Sequence, residues 1–285
     1  METGNSFFTR IKKTRFERLY DQPDCRDYYR ALSPLDYQIP THVVPIARSV
    51  IEQLSRMRGL DVPRVLDVAC GYGVAGALLR HNVTMREIFD RCIAPELEHA
   101  DVDAVIAQDR AWYRTRRRAG CLLHISGLDV SASALDYAAR VGLCDAVFTD
   151  NLEQDDANPA LRSELGKVDL VIEMGGIGYI GTATFQRILD AARESLPWLV
   201  VAPTRVSDNE PTLRMLQSYG LVLERTPNSP FRHRRFTGDD ERTSAIEEVR
   251  RKGLDPDGYE RSGYYFADAY LARPAGECLS NSLPP

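Results

Sequence analysis

The 285-residue sequence has no excess of positive charge: 36 Lys and Arg stand against 41 Asp and Glu, a net charge of -5. That removes the broad basic face by which proteins usually hold nucleic acid, so no nucleic-acid partner is expected. There is no Cys-x-x-Cys pair and no histidine pair at metal-ligand spacing; the six cysteines are scattered over positions 25, 70, 92, 121, 144 and 278. Free thiols in a reducing compartment are expected, rather than a disulfide frame or a metal site. No stretch approaches the roughly 18 apolar residues of a membrane span. Met1-Glu2-Thr3-Gly4-Asn5 lacks the apolar core of a signal peptide. The expectation is a cytoplasmic protein that keeps clear of membranes, and the chain shows no internal repeat. What remains, 44% apolar and 27% charged, is an ordinary globular composition. Its length allows one large domain, or a core with a cap.

The stretch that organises the rest is Arg64-Val65-Leu66-Asp67-Val68-Ala69-Cys70-Gly71-Tyr72-Gly73-Val74-Ala75-Gly76. Val65, Leu66 and Val68 make a short apolar strand with Asp67 near its end. Gly71 and Gly73 permit a left-handed turn and leave no Cβ between backbone and ligand. A helix restarts near Val74, with Ala75, Leu78 and Leu79 free to pack on a sheet. Strand, glycine turn and helix form the nucleotide-binding corner of an open parallel sheet, where ligands lie beyond the strand carboxyl ends.

Gly71 to Gly76 formally matches the dinucleotide pattern G-x-G-x-x-G, but two features argue against a nicotinamide cofactor. Asp67 precedes the glycines by four residues, where it repels a pyrophosphate and attracts the ammonium of an amino acid. The acidic residue due about 20 positions on would be Glu87 or Asp90, and both fall in a stretch that reads as helix. The next acid that closes a strand is Asp129, after Leu122-Leu123-His124-Ile125-Ser126-Gly127-Leu128. A carboxylate there can accept both hydroxyls of a ribose, and Ser131 suits the cap of the following helix.

An acid near the end of strand one, a glycine turn and a second acid closing strand two resemble the class I S-adenosylmethionine-dependent methyltransferases. The likeness covers roughly residues 60–272, with Ala69 standing where the family usually has glycine. It implies a mostly parallel, seven-stranded Rossmann-like α/β sheet in the order 3-2-1-4-5-7-6, and S-adenosylmethionine as cofactor. In that pattern Asp67, Ala69, Gly71 and Gly73 line the methionine end, while Asp129 and Val130 lie along the ribose. Asp150, Asn151 and Leu152, at the exit of strand three, edge the adenine. Glu173, ending strand four before Met174-Gly175-Gly176, sits where the sulfonium and acceptor meet, to bind a cationic group or act as a base. This is not the proline-aromatic signature of amine methylases that act on nucleic acid.

The segment before the first strand commonly folds over the cofactor in this family. Tyr28, Tyr29 and Tyr37 are the candidates there, since a tyrosine ring face attracts a sulfonium and its hydroxyl holds a carboxylate or amine. Packing of these rings against the sheet edge is the competing reading. Tyr179, and His233 or Arg235 from the polar stretch 228–260, are candidates for walling the pocket and holding an acceptor carboxylate; a plain surface loop is the default for that stretch.

The domain plan is a helical arm and cap over 1–59, a binding domain over 60–273 with a helical insertion at 82–118, and a tail over 274–285. Helices are expected over 42–57, 85–92 and 100–118, the last ending in Trp112-Tyr113-Arg114-Thr115-Arg116-Arg117-Arg118 as cations that complement the helix dipole. The final strand is expected over 264–272. The expected activity is methyl transfer to a small-molecule acceptor, with specialised metabolism as one setting. The alternatives are a cyclase or aminocarboxypropyl transferase that releases methylthioadenosine (azetidine-2-carboxylate formation), and a non-catalytic binding module. A nicotinamide oxidoreductase is the outsider. The acceptor and the oligomeric state are not legible.

Overall fold

The computed structural model describes residue 19 and residues 21–278. The arm expected at the start of the chain, with Phe7 and Phe8, and the end of the tail lie outside the described residues. A short helix α1, Arg26–Leu32, leads through a 3-10 turn into α2, Ile39–Arg58. The buried stripe of α2 is Val43, Val44, Ala47, Val50, Ile51 and Leu54, the spacing of one helical face. Gly59 stops it in the left-handed conformation, with its N–H on the Ser55 carbonyl.

Strand β1, Arg64–Val68, is followed by α3, Val74–Arg80, all of whose residues are buried. The insertion is α4, Met85–Cys92, and α5, Val102–Arg114. Thr84 and Glu87 close a capping box on α4, and the Asp101 carboxylate caps α5. Helix α5 is shorter than the expected 100–118. Past Arg114 the backbone turns, and residue 117 forms an isolated antiparallel bridge with His81. The chain then alternates through β2, His124–Leu128; α6, Ala132–Val141; β3, Ala146–Phe148; and α7, Pro159–Leu165. It continues with β4, Leu170–Glu173; α8, Thr182–Ala191; β5, Trp198–Val201; α9, Glu210–Ser218; and β6, Leu221–Arg225.

The stretch 228–260, expected as loop, instead contains β7, Phe231–Arg235, and α10, Asp239–Arg251. The expected final strand is two strands, β8, Tyr264–Ala267, and β9, Tyr270–Pro274. The main sheet runs β3-β2-β1-β4-β5-β9-β6, and β7 pairs with β8 in a separate two-stranded sheet. The pairs among β3, β2, β1, β4 and β5 are parallel, while β9 is antiparallel to both β5 and β6. This is the Rossmann-like order that the sequence implied, with β9 in the place of the seventh strand.

Polar sequence hid β7 and α10 because their buried residues are charged and paired. Arg234 reaches Glu241 at 2.8 Å with both side chains 2% exposed, and its guanidinium stacks on Tyr265 at 4.9 Å. Helix α10 buries only Glu241, Ala245, Glu248 and Val249. An apolarity pattern misses a face that is half carboxylate.

The core lies on both faces of the sheet, and the strands split their residues between the two. Trp198 and Val200 of β5 pack with α2, whereas Leu199 and Val201 pack with Phe185, Ile188 and Leu189 of α8. Period-two alternation with both sides apolar is what a covered parallel strand requires. Among the described residues no helix is long and apolar enough to cross a membrane, no cluster of three metal-ligating side chains occurs, and all six cysteines are free thiols.

The placement of the glycine turn rests on one backbone approach. A Cβ on Gly76, in α3, would lie 2.2 Å from the Leu143 carbonyl oxygen, closer than any backbone tolerates. Gly76→Ala is therefore expected to lower stability by about 1–3 kcal/mol, as overpacking does. Gly276→Ala, with nothing within 4 Å of its Cβ position, should leave the melting temperature unchanged. Thermal melts of the two variants check this.

Candidate functional site

Strand β1 delivers Asp67 to the carboxyl edge of the sheet, and the chain reverses at once. Ala69 lies at φ 58° and Gly71 and Gly73 at 51° and 79°. For alanine that conformation costs on the order of 1 kcal/mol, and it is held by the Ala69 N–H on the Leu128 carbonyl at 2.8 Å. The exit loop of β4 presses on the turn from the other side: a Cβ on Gly176 would lie 3.1 Å from that of Ala69. The turn is therefore clamped between β2 and the β4 exit.

Three carboxylates meet at this edge, and their hydrogen bonding separates them. Glu173, wholly buried, takes the N–H groups of Gly176 and of Ile177 at 3.0 Å on one oxygen, and that of Ala202 at 3.2 Å on the other. It holds the β4 exit loop to the end of β5, so its oxygens are committed to backbone. Asp129 takes the Gly71 N–H on one oxygen and the Ser131 N–H on the other, each at 2.9 Å. It thereby locks the glycine turn of β1 to the end of β2 and stays partly exposed.

Asp67 differs from both. It is 2% exposed, and its Oδ2 has no hydrogen-bond partner among the described residues. Burial first, then the charges of Asp129 and Glu173, raise its carboxyl well above the ordinary range. A buried carboxyl with one unpartnered oxygen, set beside two other acids, is an electrostatic setting that favours a cation over a phosphate.

The remaining expected residues fall into several groups. Val130 stands 67% exposed at the lip beyond Asp129. Both oxygens of Asp150 accept from Asn158, its backbone N–H at 2.8 Å and its side-chain amide at 2.9 Å, while Asn158 caps α7. Asn151 accepts the Glu153 N–H at 3.1 Å. Asp150 and Asn151 thus shape the β3 exit from within, and Leu152 is buried in the core beneath it. Tyr179 is exposed on the β4 exit loop.

Of the three cap tyrosines, Tyr29 is a core residue rather than a pocket wall. Its ring meets Phe89 of α4 at 5.9 Å, and burial pushes its hydroxyl well up. Tyr28 packs on Tyr29 and on Tyr72 of the glycine turn. Tyr37 lies edge-on to His233 at 5.4 Å. His233 is buried over the β4 exit, so close that a Cβ on Gly175 would come within 2.3 Å of its Nε2. Only glycine admits the imidazole there. Arg235 is exposed, with its guanidinium 5.2 Å from the centre of the Tyr264 ring.

The structure brings Asp67, Asp129, Glu173, Ala69 and the glycines to one place, and seats Tyr37 and His233 together above β4. Tyr29 is drawn away into packing. Sequence reasoning passed over Tyr72, which stood as the unspecified middle residue of Gly-x-Gly, and Glu153. The Glu153 carboxylate gathers Gly181 N–H at 2.8 Å and Thr184 N–H at 3.0 Å at the start of α8. No spacing signal in the sequence marks Glu153. Tyr72 was marked only by being a large residue between two glycines.

No protein-family profile matches the chain, and no curated protein does. Among solved structures, one similar fold is magnesium protoporphyrin IX methyltransferase (ChlM) from Synechocystis PCC 6803 with bound SAM: 13% identity over 95% of this chain and 93% of that one, TM-score 0.39. The plantazolicin methyltransferase BamL, in complex with a triazolic desmethylPZN analog and SAH, is 11% identical over 95% and 94% of the two chains, TM-score 0.41. Geranyl diphosphate C-methyltransferase from Streptomyces coelicolor A3(2) is 11% identical over 75% and 73%, TM-score 0.34. The functional reading rests on the site itself.

A carboxyl raised in the folded protein favours folding fully only below its unfolded value, and that benefit is lost as pH rises through the folded value. Asp67 therefore burdens the ligand-free protein increasingly as pH rises above the ordinary carboxylate range. Asp67→Asn should stabilise the ligand-free protein at pH 8 by about 1–2 kcal/mol and by nothing at pH 4. Melting curves across pH check this; a lower melting temperature for the variant at pH 8 would refute the reading of Asp67 as a buried acid that favours a cation.

Proposed function

We propose that this protein is an S-adenosylmethionine-dependent methyltransferase acting on a small-molecule acceptor. The observation that carries the reading is Asp67: a buried carboxylate with an unpartnered oxygen, set between two further acids at the carboxyl ends of neighbouring strands. Such an arrangement suits the amino-acid end of this cofactor, and the glycine turn beside it leaves room for close approach.

Once bound, S-adenosylmethionine supplies a methyl carbon on a sulfonium whose leaving group is a neutral thioether. The chain's part is to bind and align. Asp67 receives the ammonium. Asp129, its oxygens pre-set by the Gly71 and Ser131 amides, receives the ribose hydroxyls. Val130 offers an apolar lip to the base, with Asp150 and Asn151 at the neighbouring β3 exit. Glu173 fixes the backbone of the β4 exit and leaves proton transfer to others. His233, held against Gly175, and Tyr37 beside it face the acceptor side. Arg235 on the same strand supplies a cation for an acceptor carboxylate.

Calorimetry with S-adenosylmethionine and S-adenosylhomocysteine tests the cofactor. Asp129→Asn is expected to weaken binding about 10- to 100-fold, the worth of hydrogen bonds to a charged group. A raised carboxyl must lose its proton before it pairs with a cation, so binding should release a proton and tighten as pH rises; Asp67→Asn should abolish both effects. Buffers of different ionisation enthalpy report the proton count. Analysis of the nucleoside product decides the bond broken. Adenosylhomocysteine that forms only with an acceptor supports methyl transfer, whereas methylthioadenosine from cofactor alone replaces it with cyclisation.

A further inference from the structure

We propose that Tyr72 is a positioning residue that couples occupancy of the glycine turn to the seating of Leu19 and residues 21–32 against α4 and α6, an inference that rests on the cofactor reading above. Its backbone belongs to the turn, flanked by Gly71 and Gly73 in the left-handed conformation. Its side chain leaves that turn and runs under the cap, where it is 1% exposed. The hydroxyl shares its proton between the Leu19 carbonyl at 2.8 Å and the Gln22 carbonyl at 2.9 Å, and receives the Gln22 N–H at 3.2 Å. The ring lies between Tyr28 of α1, 5.4 Å away, and Tyr137 of α6, 5.6 Å away. Burial pushes the hydroxyl well up, so it remains a donor throughout the working pH range.

One residue thus joins two structures that otherwise have separate supports. The turn is held from the sheet side by Asp129 and Leu128. The cap is held by Arg26, which takes both oxygens of Asp24 and donates to the Ala100 carbonyl at 3.0 Å, and by the contact of Cys25 with Cys92 at 3.6 Å. Neither set of supports spans from turn to cap; the Tyr72 side chain does. A ligand that fixes the backbone of residues 71–73 fixes the direction of the Tyr72 Cα–Cβ bond, and with it the point where Leu19 and Gln22 are anchored. By linkage, a seated cap must in turn raise affinity at the turn by the same factor.

The test is hydrogen exchange on the full-length protein, with and without S-adenosylhomocysteine, alongside calorimetry with the same ligand. In the wild type, peptides covering residues 19–32 should exchange about tenfold more slowly when the ligand is bound, while those of α10 are unchanged. Tyr72→Phe keeps the ring and removes the hydroxyl. It should raise the dissociation constant about tenfold and abolish the ligand-dependent slowing at residues 19–32. Tyr219→Phe, which removes a hydroxyl bonded to Asp190 on α8, should do neither. Binding heat in the wild type without slowing at residues 19–32 overturns the coupling and leaves the cofactor reading standing, even should Tyr72→Phe fail to fold. An unchanged affinity and unchanged slowing in Tyr72→Phe also overturn it. No binding heat with either S-adenosylmethionine or S-adenosylhomocysteine overturns the cofactor reading and the coupling together.

Discussion

The structure depends on how many backbone amides each acid at the sheet edge is given. Glu173 accepts those of Gly176, Ile177 and Ala202, Asp129 accepts those of Gly71 and Ser131 among others, and the Oδ2 of Asp67 accepts none among the described residues. The amides favour the ionised form; burial still raises the Asp129 carboxyl against them, and raises that of Asp67 well above the ordinary range. The three acids therefore behave differently: a structural pin, a lock between β1 and β2 that still faces outward, and a buried carboxyl with one oxygen left unpartnered among the described residues. A folded protein rarely leaves such a group unless something from outside completes it.

This arrangement also explains the strain around it. Ala69 in a left-handed conformation and the close pass of Gly176 over it are costs tolerated only where the surrounding backbone leaves no alternative. Glu173 enforces the pass, since it draws the amides of residues 176 and 177 inward. Asp129 enforces the turn, since it draws the amide of Gly71 toward β2. The two acids that accept backbone amides shape the edge at which the third is left with an unpartnered oxygen. Under the proposed function, cofactor binding and backbone geometry are aspects of one electrostatic design, and mutations in either should be read in the other.

The sheet and its corner were legible in the sequence because they obey apolar alternation and glycine spacing, which local residues report. Val65, Leu66 and Val68 announce a strand, and Asp129 directly follows the end of the next one. The hydrogen-bond partners of Glu173 and Asp150 were not legible, because a carboxylate at a strand end reads the same whatever backbone returns to meet it. Those partners lie on loops that return from elsewhere: residues 176 and 177 for Glu173, residue 158 for Asp150. The tyrosines at 28 and 29 show the same limit, since adjacent rings on one short helix point to different places, Tyr28 to the glycine turn and Tyr29 to α4.

The lobe of β7, β8 and α10 was the least legible part, and the reason is physical. It is held together by ion pairs inside it, Arg234 with Glu241 and Arg205 with Glu260 at 3.2 Å, where a sequence pattern expects leucine. Buried pairs of this kind contribute little net stability compared with apolar packing; what they supply is a defined geometry. That geometry brings His233 over Gly175 at the end of β4, with the neighbouring Arg235 exposed to solvent. A lobe ordered by charge can be re-patterned in sequence while the sheet beneath it stays constant. Under the proposed function, selection among acceptors falls to this lobe and selection of the cofactor to the three acids.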